Sequence, residues 1–409
     1  MIRRGVPALR SARHWMVRGS LAALAALVGG ISVAGTTAQV IRNADPERAH
    51  KLAPGDGRIT ALLAARRLIA EPTAAGSFSP AALARAALRQ DPTAIPAVVT
   101  LGLTTQLRSG PTSARRLFAY SEVLSRRDLQ TQLWSIEDAV GRGDVAGALV
   151  HYDRALRTSR TAPDLLFPVL ASAIADPTVR AATIRTLVDR PGWGDAFISH
   201  VARGAGDPEV TTDFFAGLHR AGVPVFEEAG VTAMNALVAR GLFERAWNYY
   251  ASIHPGANPR RSRDPDFSAD PKMPAPFDWT GLNDAGIITS FQRGDRGGLF
   301  DFSVSAGAGG ALLRQMQVLP PGAYRLVGRS IGPDQPEPTL PYWTLTCTDG
   351  RELGRVPVSG RGQSDGLFVG RFDVPAGCPV QTLTLMARSS EAIGGTLGQI
   401  DRVQLAPVQ

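Results

Sequence analysis

The stretch LWSIEDAVGRGDVAGALVHYDRAL, residues 133–156, decides how the middle of this 409-residue chain is built. Gly143-Asp144 breaks it into two apolar segments, and beyond the break Ala148, Tyr152 and Ala155 recur at the spacing of one helix face. Two short helices joined at such a break form a hairpin. A similar face stands 34 residues earlier as Ala114, Phe118 and Ser121, and another 34 earlier as Pro80, Ala84 and Ala87, with Asp91-Pro92 closing that unit. A fixed period of this length marks a stack of helical hairpins, each covering its apolar face with its neighbours. Residues 241–253, with Ala246 and Tyr250, show the small-then-aromatic spacing once more, although the repeats become degenerate beyond about residue 160.

The Gly-Asp break followed by Ala148, Tyr152 and Ala155 resembles the second helix of a tetratricopeptide repeat. The resemblance implies an all-α solenoid over residues 45–254. In it Ala114, Ala148 and Ala155 let helices approach closely, while Phe118 and Tyr152 fill the groove to the next hairpin. Such stacks commonly bind a peptide or helix of another protein, so protein partners are expected. The alternative is a spacer that only separates the membrane from the last domain.

Toward the amino terminus, residues 19–41 run 23 positions without a charge, about 34 Å of helix against a hydrocarbon core of about 30 Å. Arg3, Arg4, Arg10, Arg13 and Arg18 precede this span. By the positive-inside rule they place residues 1–18 in the cytoplasm and the bulk of the chain, beyond about residue 42, outside it. A cleaved signal peptide ending at Thr36-Thr37-Ala38 is the rival reading, against which stands a span longer than the about 7 to 15 residues of a signal core. The first reading gives a single-pass inner-membrane protein with a periplasmic bulk, the second a periplasmic or secreted one.

Residues 255–276, PGANPRRSRDPDFSADPKMPAP, carry six prolines and no apolar period, which predicts an extended, semi-rigid linker. The pattern then changes. Short runs rich in β-branched and aromatic residues, at 287–291, 299–304, 312–318, 324–329, 343–347, 367–374, 382–387 and 403–405, alternate with Gly, Pro and Asp-Gly turns. They predict an antiparallel β-sandwich over residues 277–409. The phrases LPPGAYRL (319–326) and GQIDRVQL (398–405) resemble strands of carbohydrate-binding-module or galactose-binding-like jelly rolls.

That resemblance implies a glycan ligand, held by aromatic rings stacked on a sugar face and by polar groups on its hydroxyls. Trp279, Tyr324, Trp343 and Asp349 are the residues that fit, with a place in the core as the competing reading for Tyr324 and Trp343. Cys347 and Cys378 are the only cysteines. Outside the cytoplasm they are expected to form a disulfide, the alternative being two buried thiols.

The net charge of +8 suggests nucleic acid only until it is located. Five of the eight excess charges lie in the first 18 residues, and +3 over the remaining 391 is too dilute to track a phosphate backbone. Catalytic chemistry is sparse. Gly328-Arg329-Ser330-Ile331-Gly332 spells a nucleophile elbow, but Pro333 and Pro336 follow where a helix must start, and no histidine lies beyond His254 to act as base. The run from Gly307 to Gly310 has no lysine and reads as a turn. His151, His200, His219 and His254 stand at no metal-ligand spacing, so neither metal nor cofactor is expected. Asp295, Asp301, Asp349, Asp365, Asp373, Glu391 and Asp401 read as turn and surface residues, while a carboxylate pair for glycoside hydrolysis stays open as the enzymatic alternative.

The expected protein is thus multidomain α + β. A basic tail (1–18) leads into a transmembrane or signal segment (19–41), a tetratricopeptide-like domain (45–254), a Pro-rich linker (255–276) and a jelly-roll sandwich (277–409). The arrangement resembles accessory proteins of Gram-negative exopolysaccharide and envelope production. It implies a non-enzymatic, membrane-anchored periplasmic adaptor whose repeats bind protein and whose sandwich meets glycan. A glycan-active enzyme and a purely structural protein-contact scaffold are the alternatives.

Overall fold

A computed structural model of the chain describes residues 12–204, 206–294, 297–331, 339–360, 362, 364–390 and 395–408. Most of the basic tail lies outside the described residues, as do Asp295, Glu391 and Gly332 to Pro336 of the elbow-like motif. The architecture is α + β: among the described residues, fourteen α-helices precede ten strands in two antiparallel sheets. The chain divides into two compact units, residues 1–166 and 167–409, and the division falls inside helix α9 (Ala162–Ala173).

The first unit opens on α1 (Ala12–Ile41). Its part His14–Ile41 is 28 residues long with a mean hydropathy of 1.8 in its most apolar window, compatible with a membrane anchor or a signal segment. Leu21, Leu24, Leu27, Val28 and Ile31 are each more than half exposed, unlike the apolar face of a soluble helix. The far end of the same helix enters the fold, where Ala38 is buried with Ala49 of α2 (Pro46–Leu52) and Ile59 of α3 (Gly57–Ala70).

Next come α4 (Pro80–Gln90), α5 (Ile95–Ser109), α6 (Pro111–Leu124), α7 (Leu129–Gly141) and α8 (Val145–Thr158), with α3·α4, α5·α6 and α7·α8 packed as hairpins. Residues of the 34-residue pattern, Pro80, Ala84 and Ala87, Ala114, Phe118 and Ser121, and Ala148, Tyr152 and Ala155, are all buried on the second helices of these hairpins. The starts of the helices are set by side-chain caps: Asp45, Asp56, Ser79, Asp128 and Asp144 accept backbone N–H groups of the first turn, each cap contributing about 1 kcal/mol. Pro46 and Pro80 follow their caps directly and Pro111 follows Gly110, at positions where a missing N–H costs nothing, so part of the proline content marks helix starts.

Phe118, the aromatic member of the pattern on α6, touches helices on both of its sides. A Cβ on Gly102 of α5 would lie 2.6 Å from the Phe118 ring, so only glycine admits that ring against α5. On its other side Phe118 stacks on Trp134 of α7, with centroids 4.0 Å apart. Phe118 thus joins two consecutive hairpins.

In the second unit the remaining helices are α10 (Pro177–Val188), α11 (Gly194–Arg203), α12 (Pro208–Arg220), α13 (Glu227–Ala239) and α14 (Phe243–Ile253). Here bulky rings are packed together: Phe167, Trp193, Phe197 and Phe214 meet edge to face or tilted at centroid separations of 5.4–6.4 Å.

The sandwich follows. One sheet orders β1 (Thr280–Gly281), β4 (Gly310–Gln317), β9 (Gln381–Ala387), β6 (Tyr342–Cys347) and β7 (Glu352–Pro357). The other orders β2 (Ile287–Gly294), β3 (Gly297–Val304), β10 (Thr396–Pro407), β5 (Gly322–Ser330) and β8 (Leu367–Val374). Alternate residues of most strands enter one core that contains Phe300, Phe302, Leu326, Trp343, Leu345, Phe368, Phe372, Leu383 and Leu385. Cys347 at the end of β6 and Cys378 before β9 form a disulfide with Cα atoms 5.6 Å apart.

Residues 255–276, expected as a linker, are instead sewn into this sandwich. The Ser262 N–H donates to the Leu405 carbonyl while its Oγ accepts the Leu405 N–H, and the Val403 N–H donates to Pro265. The segment therefore lies beside β10 where the pairing of β10 with β3, which covers residues 396–400, has ended. Phe267 is fully buried against Trp279, Phe291 and Phe300, and a Cβ on Gly298 would sit 2.0 Å from its carbonyl oxygen. The proline content limits regular hydrogen bonding, and the segment takes what the sheet offers.

Candidate functional site

The sandwich residues suggested as a sugar platform are mostly core. Trp343 is fully buried, with its indole Nε1 lacking any acceptor among the described residues. Trp279 packs on it at a centroid separation of 5.7 Å and donates Nε1–H to the Asp264 carbonyl at 2.9 Å. Tyr324 is buried and donates its hydroxyl to the Pro320 carbonyl. None of the three rings has a face open to a ligand, which corrects their reading as a platform. Asp349 is exposed in the β6–β7 turn, where it accepts the Arg351 N–H.

The parity of β6 explains the outcome: odd residues Trp343, Leu345 and Cys347 point inward, and even residues Tyr342 and Thr346, on either side of a buried Thr344 that donates its hydroxyl to the Gly354 carbonyl, belong to the outer face. Tyr342 is half-buried there, with the guanidinium groups of Arg355 and Arg388 at 4.9 and 5.0 Å from its ring centroid. Cross-strand register adds Thr344 beside Thr384 and Thr346 beside Thr382. Other acidic residues of the domain have partners: Asp401 pairs with Arg329, Asp373 with Arg371, and Asp301 accepts from Gln292 and Gln399.

A better-formed site lies within the second unit, in a cavity of about 450 Å³ between α12–α14, the sewn-in segment and the start of the sandwich. Its apolar lining includes Val231 and Met234 from α13, Ile253 from α14, and Met273. Polar groups converge on it. The Tyr250 hydroxyl donates to Asp278 Oδ1, while Asp278 Oδ2 accepts the Ala275 N–H. Arg263 stacks over the Tyr250 ring at 4.7 Å and stands 3.9 Å from Asp278.

The Tyr250 hydroxyl is driven well above its ordinary value of 10, first by burial and then by Asp278, so it stays protonated as the donor. Burial likewise holds the His254 imidazole below its ordinary 6.5. The Nδ1 of His254 lies 3.0 Å from the Tyr250 carbonyl, which can only accept. The proton of the neutral ring therefore sits on Nδ1, and Nε2 is left as an acceptor. At the exposed rim, Glu227 accepts the Met273 N–H and thereby holds the sewn-in segment against α13.

Sequence reading missed this cavity. It takes His219 and His254 as scattered and residues 255–276 as linker, whereas the fold brings both histidines to one cavity with Arg263 and Asp278. Among the described residues no group of three or more His, Cys, Asp or Glu could hold a metal ion.

No family of known proteins matches this chain, and no curated protein matches it in sequence. Among solved structures, the enzymatically active domain of tailspike protein 4 of bacteriophage CBA120 is similar over 32% of this chain and 19% of that one, at 15% identity and a TM-score of 0.24. The arabinosyltransferase EmbB from Mycobacterium smegmatis is similar over 86% of this chain and 52% of its own, at 12% identity and a TM-score of 0.21. The chain thus spans about a fifth of the first structure and about half of the second. At such scores neither likeness carries an argument about fold or activity.

Proposed function

We propose that this chain is a non-enzymatic adaptor of the cell envelope, anchored in the inner membrane by α1 with its bulk on the periplasmic side. The observation that supports this reading is the occurrence in one chain of an exposed, 28-residue apolar helix near the amino terminus and a disulfide in the last domain. A disulfide persists outside the reducing cytoplasm, and the helix supplies the route there. The helical hairpins of tetratricopeptide-like spacing are then the part that takes a protein partner.

The test has two arms in living cells. A reporter active only outside the cytoplasm, fused after residue 42, gives signal if the reading holds; a cytoplasmic signal overturns it. Photocrosslinking from exposed positions on α4, α6 and α8 then recovers a discrete partner band, and its absence from every position removes the adaptor role while leaving the anchoring intact.

A second reading, glycan handling by the sandwich in polysaccharide production, is favoured by one feature, the outer-sheet face of Tyr342, Thr346, Thr382 and Thr384 beside Arg355 and Arg388. Aromatic, hydroxyl and guanidinium groups on one face suit a polyhydroxylated ligand. Binding of cell-derived polysaccharide to the purified chain, weakened by Tyr342→Ala, is the expected result; unchanged binding by that variant removes this face from consideration.

A further inference from the structure

We propose that the cavity between α12–α14 and the sandwich is a binding site for a small carboxylic acid with an apolar body, its carboxylate held by Arg263. This inference stands apart from the adaptor reading, because nothing in it depends on topology or on a protein partner.

Arg263 carries the argument. Its side chain is about one-fifth exposed, and its guanidinium donates no hydrogen bond to any acceptor among the described residues. Asp278, its nearest carboxylate, is 3.9 Å away and already accepts from the Tyr250 hydroxyl and the Ala275 N–H. A mostly buried guanidinium with unfilled donors beside a cavity is costly unless an anion completes it. A carboxylate matches its planar fork of N–H groups in a bidentate pair.

Tyr249 supplies a second, independent sign. It is 5% exposed, lines the cavity, and its hydroxyl has no hydrogen-bond partner among the described residues. Gly230 makes room for that hydroxyl, since a Cβ there would lie 3.1 Å from it. A buried phenol is ordinarily partnered, so a ligand oxygen is the natural acceptor. Burial holds this phenol above its ordinary value of 10, so it is a donor at any physiological pH.

The surroundings select within the anions. Asp278 stands beside Arg263, and Glu227 stands at the cavity edge. Asp278 and Glu227 outnumber the one guanidinium, so repulsion grows with the charge of the ligand, and a dianion such as a phosphate monoester is disfavoured against a monoanion. Val231, Met234, Ile253 and Met273 then cover an alkyl or aryl body, and a volume of about 450 Å³ lies within the size range of small-molecule sites.

The experiment uses the full chain in lipid nanodiscs, with 4-phenylbutyrate as probe and phenyl phosphate and 4-phenylbutylamine as dianionic and cationic controls. Ligand-observed saturation-transfer NMR and isothermal titration read the binding. The expected result is saturable 4-phenylbutyrate binding, weakened about tenfold or more by Arg263→Gln and about threefold or more by Tyr249→Phe, with both controls at least about tenfold weaker than the carboxylate. Tyr249→Phe deletes only a hydroxyl that has no partner among the described residues, so it remains decisive if Arg263→Gln does not fold. The inference is overturned by absence of saturable carboxylate binding up to about 10 mM in a chain with a cooperative melt, by undiminished binding in either folded variant, or by tighter binding of the amine or the phosphate.

Discussion

Phe118 and Trp134 lie face to face between consecutive hairpins, with ring centroids 4.0 Å apart and planes 8° from parallel. This contact is the physical form of the 34-residue period, because it is where one hairpin gains its neighbour. Phe118→Ala is expected to destabilise the first unit by about 3–5 kcal/mol through lost burial and the cavity left behind. Gly102→Ala, which drives a methyl into the same ring, should cost about 1–3 kcal/mol. Urea unfolding followed by far-ultraviolet circular dichroism at 222 nm, where the helices absorb, measures both. Val123→Ala, on an 82% exposed side chain, is the neutral control, and parity of Phe118→Ala with that control would show that the stack contributes nothing.

Reduction of the Cys347–Cys378 bridge releases a loop of 31 residues' separation from its constraint in the unfolded chain. By the loop-entropy relation this lowers the stability of the sandwich by about 3–4 kcal/mol. The check is a melt of the purified chain with and without reductant, beside a Cys347→Ser/Cys378→Ser variant. A reduced melt identical to the oxidised one would contradict the expectation.

Acid is expected to destabilise the fold in two stages. His151 and His254 are held below the ordinary imidazole value of 6.5, in both cases chiefly by burial. The unfolded chain therefore binds more protons between the folded and unfolded values, so their contribution is complete above 6.5 and falls as the pH drops below it. Asp91, lowered by the Thr93 hydroxyl, Asp176, lowered by the Val179 N–H, and Glu352, lowered by Arg355, act in the same direction only from their ordinary 3.8–4.5 downward. A melting temperature that declines from pH 7 to pH 5.5, and declines less in a His151→Gln/His254→Gln variant, is the predicted outcome; equal slopes would remove the histidines from the explanation.

Neighbouring aromatics of β6 should behave oppositely. Trp343→Ala empties a fully buried site and is expected to cost about 3–5 kcal/mol, with general loss of sandwich structure. Tyr342→Ala removes a half-buried ring from the outer face and should leave the melt within about 1 kcal/mol while weakening any glycan binding by that face. Circular dichroism melts of the two variants separate the core residue from the surface one.

What could be read in the sequence follows the reach of each signal. Ala114, Phe118, Ala148, Tyr152 and Ala155 announce their burial because a helix face repeats locally. The eight short runs predict a sandwich because alternation is also local. Which side of a strand faces inward is not local: Tyr342-Trp343 offers two aromatics in succession, and only pairing with β9 and β7 decides that Trp343 enters the core. The cavity is less legible still. Tyr249, His254, Arg263 and Asp278 span thirty positions, and their meeting depends on residues 255–276 being held to β10 by Ser262 and to the core by Phe267. A proline-rich composition records that such a segment is irregular and says nothing of what it packs on.

The Ser262–Leu405 and Phe267 contacts bear on how this protein could be inherited or rearranged. A β-domain joined by a free tether is a portable cassette that recombination can move between genes. Here a cut at residue 277 would transfer a sandwich with its aromatic plug left behind, so a fragment starting at 277 should aggregate where one starting near 258 melts cooperatively. The inheritable module accordingly begins inside the stretch that looks like a joint, and a change in that joint is felt as a change in the β-domain itself.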